Sequence, residues 1–300
     1  MRKRVYIVLA AMLLAVIGLT TWEGLRERKL VYQGKSLTVW MEQFDKSWLT
    51  PGSEKSQAQL AIRSIGPNAL PDLLRMARAK DSILKKKMMA LAKQQSLIKI
   101  RFRSEEDYHA SSDSGFAALG PIAKPAVPAL IDLLKHQDAK IRATAALDLM
   151  WIGPEAQEAV PALVNCLDDQ DMCVRFSATR CLRDIHMRPD LAVPALIRSL
   201  NASKVPKTET IAALLQFGPQ AKAATPSICR SLQDRDWQAR CAAIYALERI
   251  EADPASVIPA LIAALNDANP VVRSSLTNAL LRLDPVAAAS AGVNTNAPGL

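Results

Sequence analysis

Aromatic residues make up only 5% of this 300-residue chain, and glycine contributes 11 positions. A β-sandwich core draws heavily on aromatic and β-branched side chains, so that scarcity argues against one. Histidine is scarcer still, with only His109, His136 and His186. None has a Glu neighbour or recurs at a catalytic spacing, and each reads as a surface or hydrogen-bonded helix residue. Five cysteines lie between Cys166 and Cys241 with no Cys-x-x-Cys pair and no histidine at metal spacing. Cys181 and Cys229 fall where small apolar residues are wanted. A Gly-rich phosphate loop and a nucleophile elbow are also missing. The expectation is a protein without catalytic residues, bound metal or cofactor, and with no small-molecule substrate.

Charge is unevenly placed. Net charge is +9. Residues 1–110 hold 20 Lys/Arg against 10 Asp/Glu, which leaves 18 against 19 for residues 111–300. A nucleic-acid-binding array needs its basic stripe on the array itself, so no nucleic-acid partner is expected.

The basic start Arg2, Lys3 and Arg4 precedes an uncharged run from Val5 to Trp22. As a helix this run spans roughly 27 Å, about the thickness of a hydrocarbon core. Leu19-Thr20-Thr21-Trp22 is a poor cleavage site. Residues 1–24 therefore read as a signal anchor forming an N-terminal transmembrane helix, with a cleaved signal as the alternative. The flanking charges favour a single pass through the inner membrane, with the rest of the chain on the exported side. Arg26, Arg28 and Lys29 beyond the run weaken that asymmetry.

Laying the chain on itself reveals a repeat. Val127-Pro128-Ala129-Leu130, Val160-Pro161-Ala162-Leu163, Val193-Pro194-Ala195-Leu196, Thr225-Pro226-Ser227-Ile228 and Ile258-Pro259-Ala260-Leu261 occupy equivalent places. Each segment opens a short amphipathic helix. A second helix follows, fixed to Arg142, Arg175, Lys207, Arg240 or Arg273, with small or apolar residues at offsets +3, +6, +7 and +10. Asp138, Asp171, Asp236, Asn269 and Ser203 stand four residues before the basic residue, where an N-cap is wanted. Ile152-Gly153-Pro154 and Phe217-Gly218-Pro219 supply a left-handed glycine and then a helix-starting proline.

The frame extends back through Leu119-Gly120-Pro121 to Ile65-Gly66-Pro67, interrupted by a basic insertion at residues 80–108. Within the insertion, Ser82 to Gln95 reads as an amphipathic helix through Leu84, Met88 and Leu91, and Ser104-Glu105-Glu106-Asp107 as another helix start. The expected organisation is a linker with one short helix at 25–53, a repeat array at 54–284 and a disordered tail at 285–300.

This pattern resembles the short HEAT-like repeats of the phycobilisome-lyase type. The lead-in Tyr32-Gln33-Gly34-Lys35-Ser36-Leu37-Thr38-Val39-Trp40 is similar to that of exported HEAT-repeat proteins from verrucomicrobial-type bacteria. The resemblance implies an all-α fold, a right-handed α-solenoid of helix pairs, whose usual role is protein–protein interaction. An accessory or lyase-like enzyme on the same fold is the alternative.

Within such a solenoid, offsets +1, +5 and +8 of each second helix point away from the buried stripe toward a concave surface. Leu147, Met150, Trp151, Phe176, Arg180, Arg183, Leu215, Tyr245 and Leu281 are the candidate contacts for a protein partner there. The acid–base series Asp138/Arg142, Asp171/Arg175, Asp236/Arg240 and Arg273 reads as a structural ladder between repeats. Lys85, Lys86, Lys87, Arg101 and Arg103 are candidates for binding an anionic membrane surface.

Overall fold

The computed structural model describes residues 30–46, 53–94 and 102–293. The N-terminal run and Arg101 lie outside the described residues. A two-strand hairpin, β1 (Val31–Tyr32) and β2 (Lys35–Ser36), turns at Gln33-Gly34 and leads into α1 (Leu37–Lys46). Then come α2 (Ser53–Ile65), α3 (Leu70–Ala77), the insertion helix α4 (Ile83–Gln94) and α5 (Glu105–Leu119). The regular units follow as pairs: α6 (Val127–Leu133) with α7 (Ala139–Ile152), α8 (Val160–Cys166) with α9 (Met172–Ile185), and α10 (Pro189–Ala202) with α11 (Lys207–Gln216). The last pairs are α12 (Thr225–Ser231) with α13 (Trp237–Arg249) and α14 (Pro254–Ala263) with α15 (Pro270–Leu283), closed by α16 (Pro285–Ser290).

The second helices α5, α7, α9, α11, α13 and α15 pack in series, and the first helices form a parallel layer against them. One continuous apolar core runs between the layers. Its residues are those at the periodic offsets: Ala145, Leu149 and Ile152 on α7, Ala178, Cys181, Leu182 and Ile185 on α9, Ala243, Ala246 and Leu247 on α13. The stretch Glu105–Leu133 is apolar and long enough to cross a membrane. It comprises α5, a 3-10 turn and α6, and half of its most apolar window is buried inside the array.

Gly66, Gly120, Gly153 and Gly218 all have positive φ. The chain then winds through a 3-10 turn (Gly120–Ala126, Gly153–Ala159, Gly218–Ala224) before the next first helix begins. The proline after each glycine thus starts this turn, and the α-helix starts later. Unit three departs from the pattern: His186 takes the left-handed place of glycine, and α10 runs unbroken for 14 residues.

Three expectations need correction at the ends and at one junction. The lead-in carries the one short helix expected of it, but that helix is not free-standing: Leu37, Trp40, Met41 and Phe44 are buried, and α1 packs on α2 and α5. Trp40 also donates to the Tyr32 carbonyl and lies under Lys35 Nζ. The tail begins as α16, because Asp284 caps it and Ala288 is buried against α15. Ser203 caps no helix start. It ends α10 in the left-handed region, and Pro206 precedes α11.

The ladder exists, with different partners. Asp138, Asp171, Asp236 and Asn269 are occupied as N-caps, accepting from amides in the first turn of their own helices. Arg142 instead forks onto Asp169 of the next unit, Nε to Oδ2 and Nη2 to Oδ1 both at 2.8 Å. Its Nη1 donates to the carbonyls of His136 and Gln137 in its own turn. Arg240 repeats the arrangement with Asp267 and with the carbonyls of Asp234 and Arg235. Lys207 meets Asp234 in the same register. Asp169, Asp234 and Asp267 in turn accept the amides of Asp171, Asp236 and Asn269, so each ties a neighbour to its own helix cap. The equivalent of Asp169 in unit three is Ala202, and Arg175 reaches the Lys204 carbonyl instead. Arg273 stands in the last pair of the array and, among the described residues, bonds to the carbonyls of its own turn, Asp267 and Ala268.

The Arg240 and Asp267 side chains are only 13% and 8% exposed, where a bidentate ion pair is strong and leaving one partner alone is costly. The Arg240 fork holds the Asp267 carboxyl below its usual range. Its contribution is therefore full above the ordinary aspartate value and lost as pH falls through the lowered one. Arg240→Ala is expected to lower stability at pH 7 by about 2–3 kcal/mol, and Arg273→Ala by about 1 kcal/mol or less. Urea unfolding of the two variants checks this, and equal losses would show that the fork does not couple repeats.

Candidate functional site

The candidate partner face is built on the outer side of the second helices. Its row of residues is drier than expected. Met150 is 6% exposed, and Leu147, Trp151, Leu215 and Leu281 are half-buried against the core. Met150 is therefore withdrawn as a contact residue, since packing against its neighbours consumes it. Tyr245 behaves otherwise, with 52% of its surface exposed. It stands between two hollows. One, of about 350 Å³, is lined by Leu215, Gln216, Pro219 and Arg249. The other, of about 210 Å³, is lined by Cys241, Glu248, Asn278 and Arg282.

A second group gathers around Asp113 on α5. Trp151 Nε1 donates to its carboxylate at 2.5 Å. Arg180 on α9 acts on the same carboxylate electrostatically and sits 5.9 Å from the Phe176 ring centroid one turn away. Burial raises the Asp113 pKa, against the bond from Trp151 and the attraction of Arg180, with Asp45 adding to the rise. Trp151 and Arg180 thus both act on Asp113, with Phe176 beside Arg180, and Asp113 is not among the residues singled out from the sequence. Arg183 is held apart, paired with Asp184 and Glu209.

Asp113 belongs to one turn of α5 that fastens three other elements. Ser114 bonds to Asp45 of α1. Gly115 lets α5 approach α3, because a Cβ there would lie 2.3 Å from the Leu73 side chain. Ser112 is 2.9 Å from Asp148 Oδ2 on α7 and 3.2 Å from the Leu73 carbonyl. A serine hydroxyl has one proton and cannot donate to both. A protonated Asp148 resolves the geometry: its proton goes to Ser112, whose own proton goes to Leu73. Asp148 is fully buried, its Oδ1 has no partner, and burial with the nearby Asp113 charge pushes its pKa well above the usual range. Other units place Cys181, Ala213, Ala246 and Ala279 here, so an acid at this offset was visible in the sequence as an exception.

The basic insertion is fastened through its own charges. Asp81 and Glu105 exchange backbone-to-carboxylate bonds at 2.8 and 3.0 Å. Glu105 also takes Lys86 and Lys140. Although burial works against it, these donors hold the Glu105 carboxyl down to about 2. Of the membrane-surface candidates, Lys85 is buried, pairing with Asp81 at 3.0 Å, and Arg103 is half-buried, bonded to Ser111 and lying over the Tyr108 ring. Both are withdrawn as headgroup ligands. Lys86 and Lys87 are exposed.

The remaining polar candidates are accounted for within the fold. His109 donates from Nε2 to the Ala79 carbonyl, and His136 Nδ1 accepts the Asp138 amide. All five cysteines are free thiols. Cys166 and Cys181 are buried, and burial pushes Cys166 up to about 11.

A folded-state carboxyl with a raised pKa binds a proton that the unfolded chain releases, so this seam loses stability as pH rises above the ordinary aspartate range. Asp148→Asn supplies a permanent donor to Ser112. It is expected to raise stability at pH 8 by about 1 kcal/mol or more and to flatten the dependence between pH 5 and 8, which are the extremes to compare by urea unfolding. An asparagine variant less stable than the parent at pH 8 contradicts a neutral Asp148.

Comparison with known proteins adds to this picture. Two engineered proteins with crystal structures show structural similarity to the chain. One is 21% identical with a TM-score of 0.48, over 73% of this chain and 97% of its own. The other is 18% identical with a TM-score of 0.49, over 85% and 82%. No curated protein matches the chain. The profile of HEAT repeats matches residues 127–216 and 193–281. Those matches fall on the pairs from α6 to α15, whose shared core and rungs are described above, and the chain belongs to the HEAT-repeat family.

Proposed function

We propose that the protein is a non-catalytic interaction scaffold that holds a protein partner on the outer face of its second helices. The observation that carries this reading is Tyr245, a large aromatic left half in solvent between two hollows, while the candidate residues Leu147, Met150, Trp151, Leu215 and Leu281 are partly or fully buried. Aromatic and arginine side chains set in hollows are the residues on which interface energy concentrates. Phe176, Arg180 and Trp151 extend the same face toward the N-terminal end. The rungs fix the spacing of successive second helices, so a partner contacting several units meets a preset surface and loses little energy in ordering it.

The uncharged run from Val5 to Trp22 supports a membrane anchor, with the array displayed on the exported side of an inner membrane. Its short repeats and lead-in support placing it among the exported relatives named by resemblance, of phycobilisome-lyase repeat type.

Crosslinking the full-length protein in its membranes, followed by mass spectrometry, identifies what lies on the face. Changing Phe176, Arg180 and Tyr245 to alanine together is expected to reduce partner recovery at least about tenfold, since each hot-spot residue is worth roughly 1–2 kcal/mol or more. Circular dichroism and melting temperature serve as folding controls, and the single Tyr245→Ala variant isolates the exposed residue. Undiminished recovery with the triple variant overturns the assignment of this face. Protease protection of intact and opened cells tests the topology separately.

A further inference from the structure

Helix α4 is seated the opposite way from a core helix. Its inward side carries Lys85, which is 9% exposed, is paired with Asp81 and lies 5.3 Å from the Tyr108 ring centroid. Its outward side carries Ile83, Leu84 and Leu91 at 78%, 62% and 46% exposed. At 3.6 residues per turn, Ile83, Lys87, Leu91 and Leu84 fall within an arc of about 100°. The segment read from the sequence as an amphipathic helix through Leu84, Met88 and Leu91 is a helix, Ile83–Gln94. The stripe faces out because the Asp81–Lys85 pair and the Asp81–Glu105 exchange fix the opposite side to α5.

Single exposed apolar residues are ordinary, but a stripe of three along one helix marks a surface that something covers. The charges around the stripe identify that cover. Between residues 80 and 103 the sequence has eight Lys/Arg and one acid, Asp81, which points inward. Lys85 and Arg103 are held within the fold, Lys80 and Lys86 keep more than half of their side chains exposed while pairing with Asp138 and Glu105, and Lys87 is exposed. Lys87 stands within the stripe and Lys86 beside it, both exposed. The covering surface must accept apolar side chains to a shallow depth and cations at the same level. A protein groove would need an acidic rim and an apolar floor in one place. A bilayer rich in anionic lipid presents both everywhere, with lysine stems lying along the acyl boundary and ammonium groups at the phosphates.

We propose that α4 lies in the interface of an anionic bilayer, inserting Ile83, Leu84 and Leu91 and bringing Lys87 to the headgroups, with Lys86 held beside it on Glu105. The site differs in kind from one held by basic residues alone, because Lys85, Lys86 and Arg103 are engaged within the protein. It is independent of the partner face on the second helices.

The test uses full-length protein reconstituted in vesicles of phosphatidylcholine, with or without a minority of phosphatidylglycerol, read by amide hydrogen exchange. Because the readout is local to residues 83–92, attachment through another part of the chain does not mimic it. Exchange in α4 is expected to slow at least about fivefold in the anionic vesicles relative to the neutral ones, while exchange in α9 and α13 stays unchanged. The triple variant Ile83→Asp, Leu84→Asp, Leu91→Asp changes only exposed positions and is expected to abolish that slowing. Leu84→Asp alone is expected to weaken it should the triple variant fold poorly. Equal α4 exchange in both kinds of vesicle, or slowing retained in the aspartate variants, overturns the proposal.

Discussion

An open stack of helix pairs has no closure, so its geometry rests on what each unit does to the next. Apolar burial supplies the attraction but specifies orientation poorly, because small side chains such as Ala145, Ala178 and Ala243 slide past one another at little cost. The arginine rung supplies the orientation. Arg142 satisfies two carbonyls in the turn before its own second helix and forks onto Asp169 of the next unit. Asp169 at the same time accepts the amide of Asp171, the N-cap of that next helix. A single guanidinium thus links the start of one second helix to the start of the following one. The angle between successive helices, and with it the shape of their outer face, depends on this fork. Where Ala202 removes the aspartate, Arg175 accepts a lesser substitute in the Lys204 carbonyl. That is also the unit whose left-handed glycine is His186 and whose 3-10 turn is absent.

Most of the array was legible in the sequence because its determinants are local and repeated. Proline spacing, N-cap residues and left-handed glycines each act within a few residues of where they stand. The rung partners were misassigned for a physical reason. An acid four residues before a basic residue on a helix looks like an ion pair, yet at a helix start the unsatisfied amides claim it first. The true partners Asp169, Asp234 and Asp267 lie two residues before each cap, and their recurrence was readable once that claim was recognised. The terminal elements failed for a different reason. The hairpin and α1 carry no repeat pattern, so Trp40, Met41 and Phe44 gave no sign of closing the first end of the core. The small, polar composition after Pro285 concealed a helix that Asp284 caps and α15 holds.

The partner face shows the limit of helical periodicity. Spacing located the buried stripe, but Met150, assigned to the opposite face, is buried too, because a second helix in a stack touches two neighbours as well as the layer beneath. Leu147, Leu215 and Leu281 pack partly against the core, a burial that a one-helix projection does not represent. Tyr245 escapes because its ring projects into solvent. The cluster around Asp113 was illegible because it depends on α5, an irregular unit outside the repeat frame. Its turn from Ser112 to Gly115 contacts α1, α3 and α7 through residues far apart in sequence.

Amphipathicity also fixes only that a helix has two faces, and the partners available at its ends decide which one turns inward. For α7 or α9 the apolar side wins, since neighbouring units offer an apolar surface. For α4 the decision belongs to charges. Asp81 and Glu105 cross-link the helix starts, and once Asp81 is buried it requires a cation, which Lys85 provides one turn on. Placing a lysine inward forces Ile83, Leu84 and Leu91 outward. The insertion therefore adds a surface of a different chemical kind to the array, apolar and cationic together. The second-helix face is hollowed around aromatics and electrically mixed. A chain with both surfaces can meet two unlike environments at once, through different residues and without either contact disturbing the rungs that hold the stack.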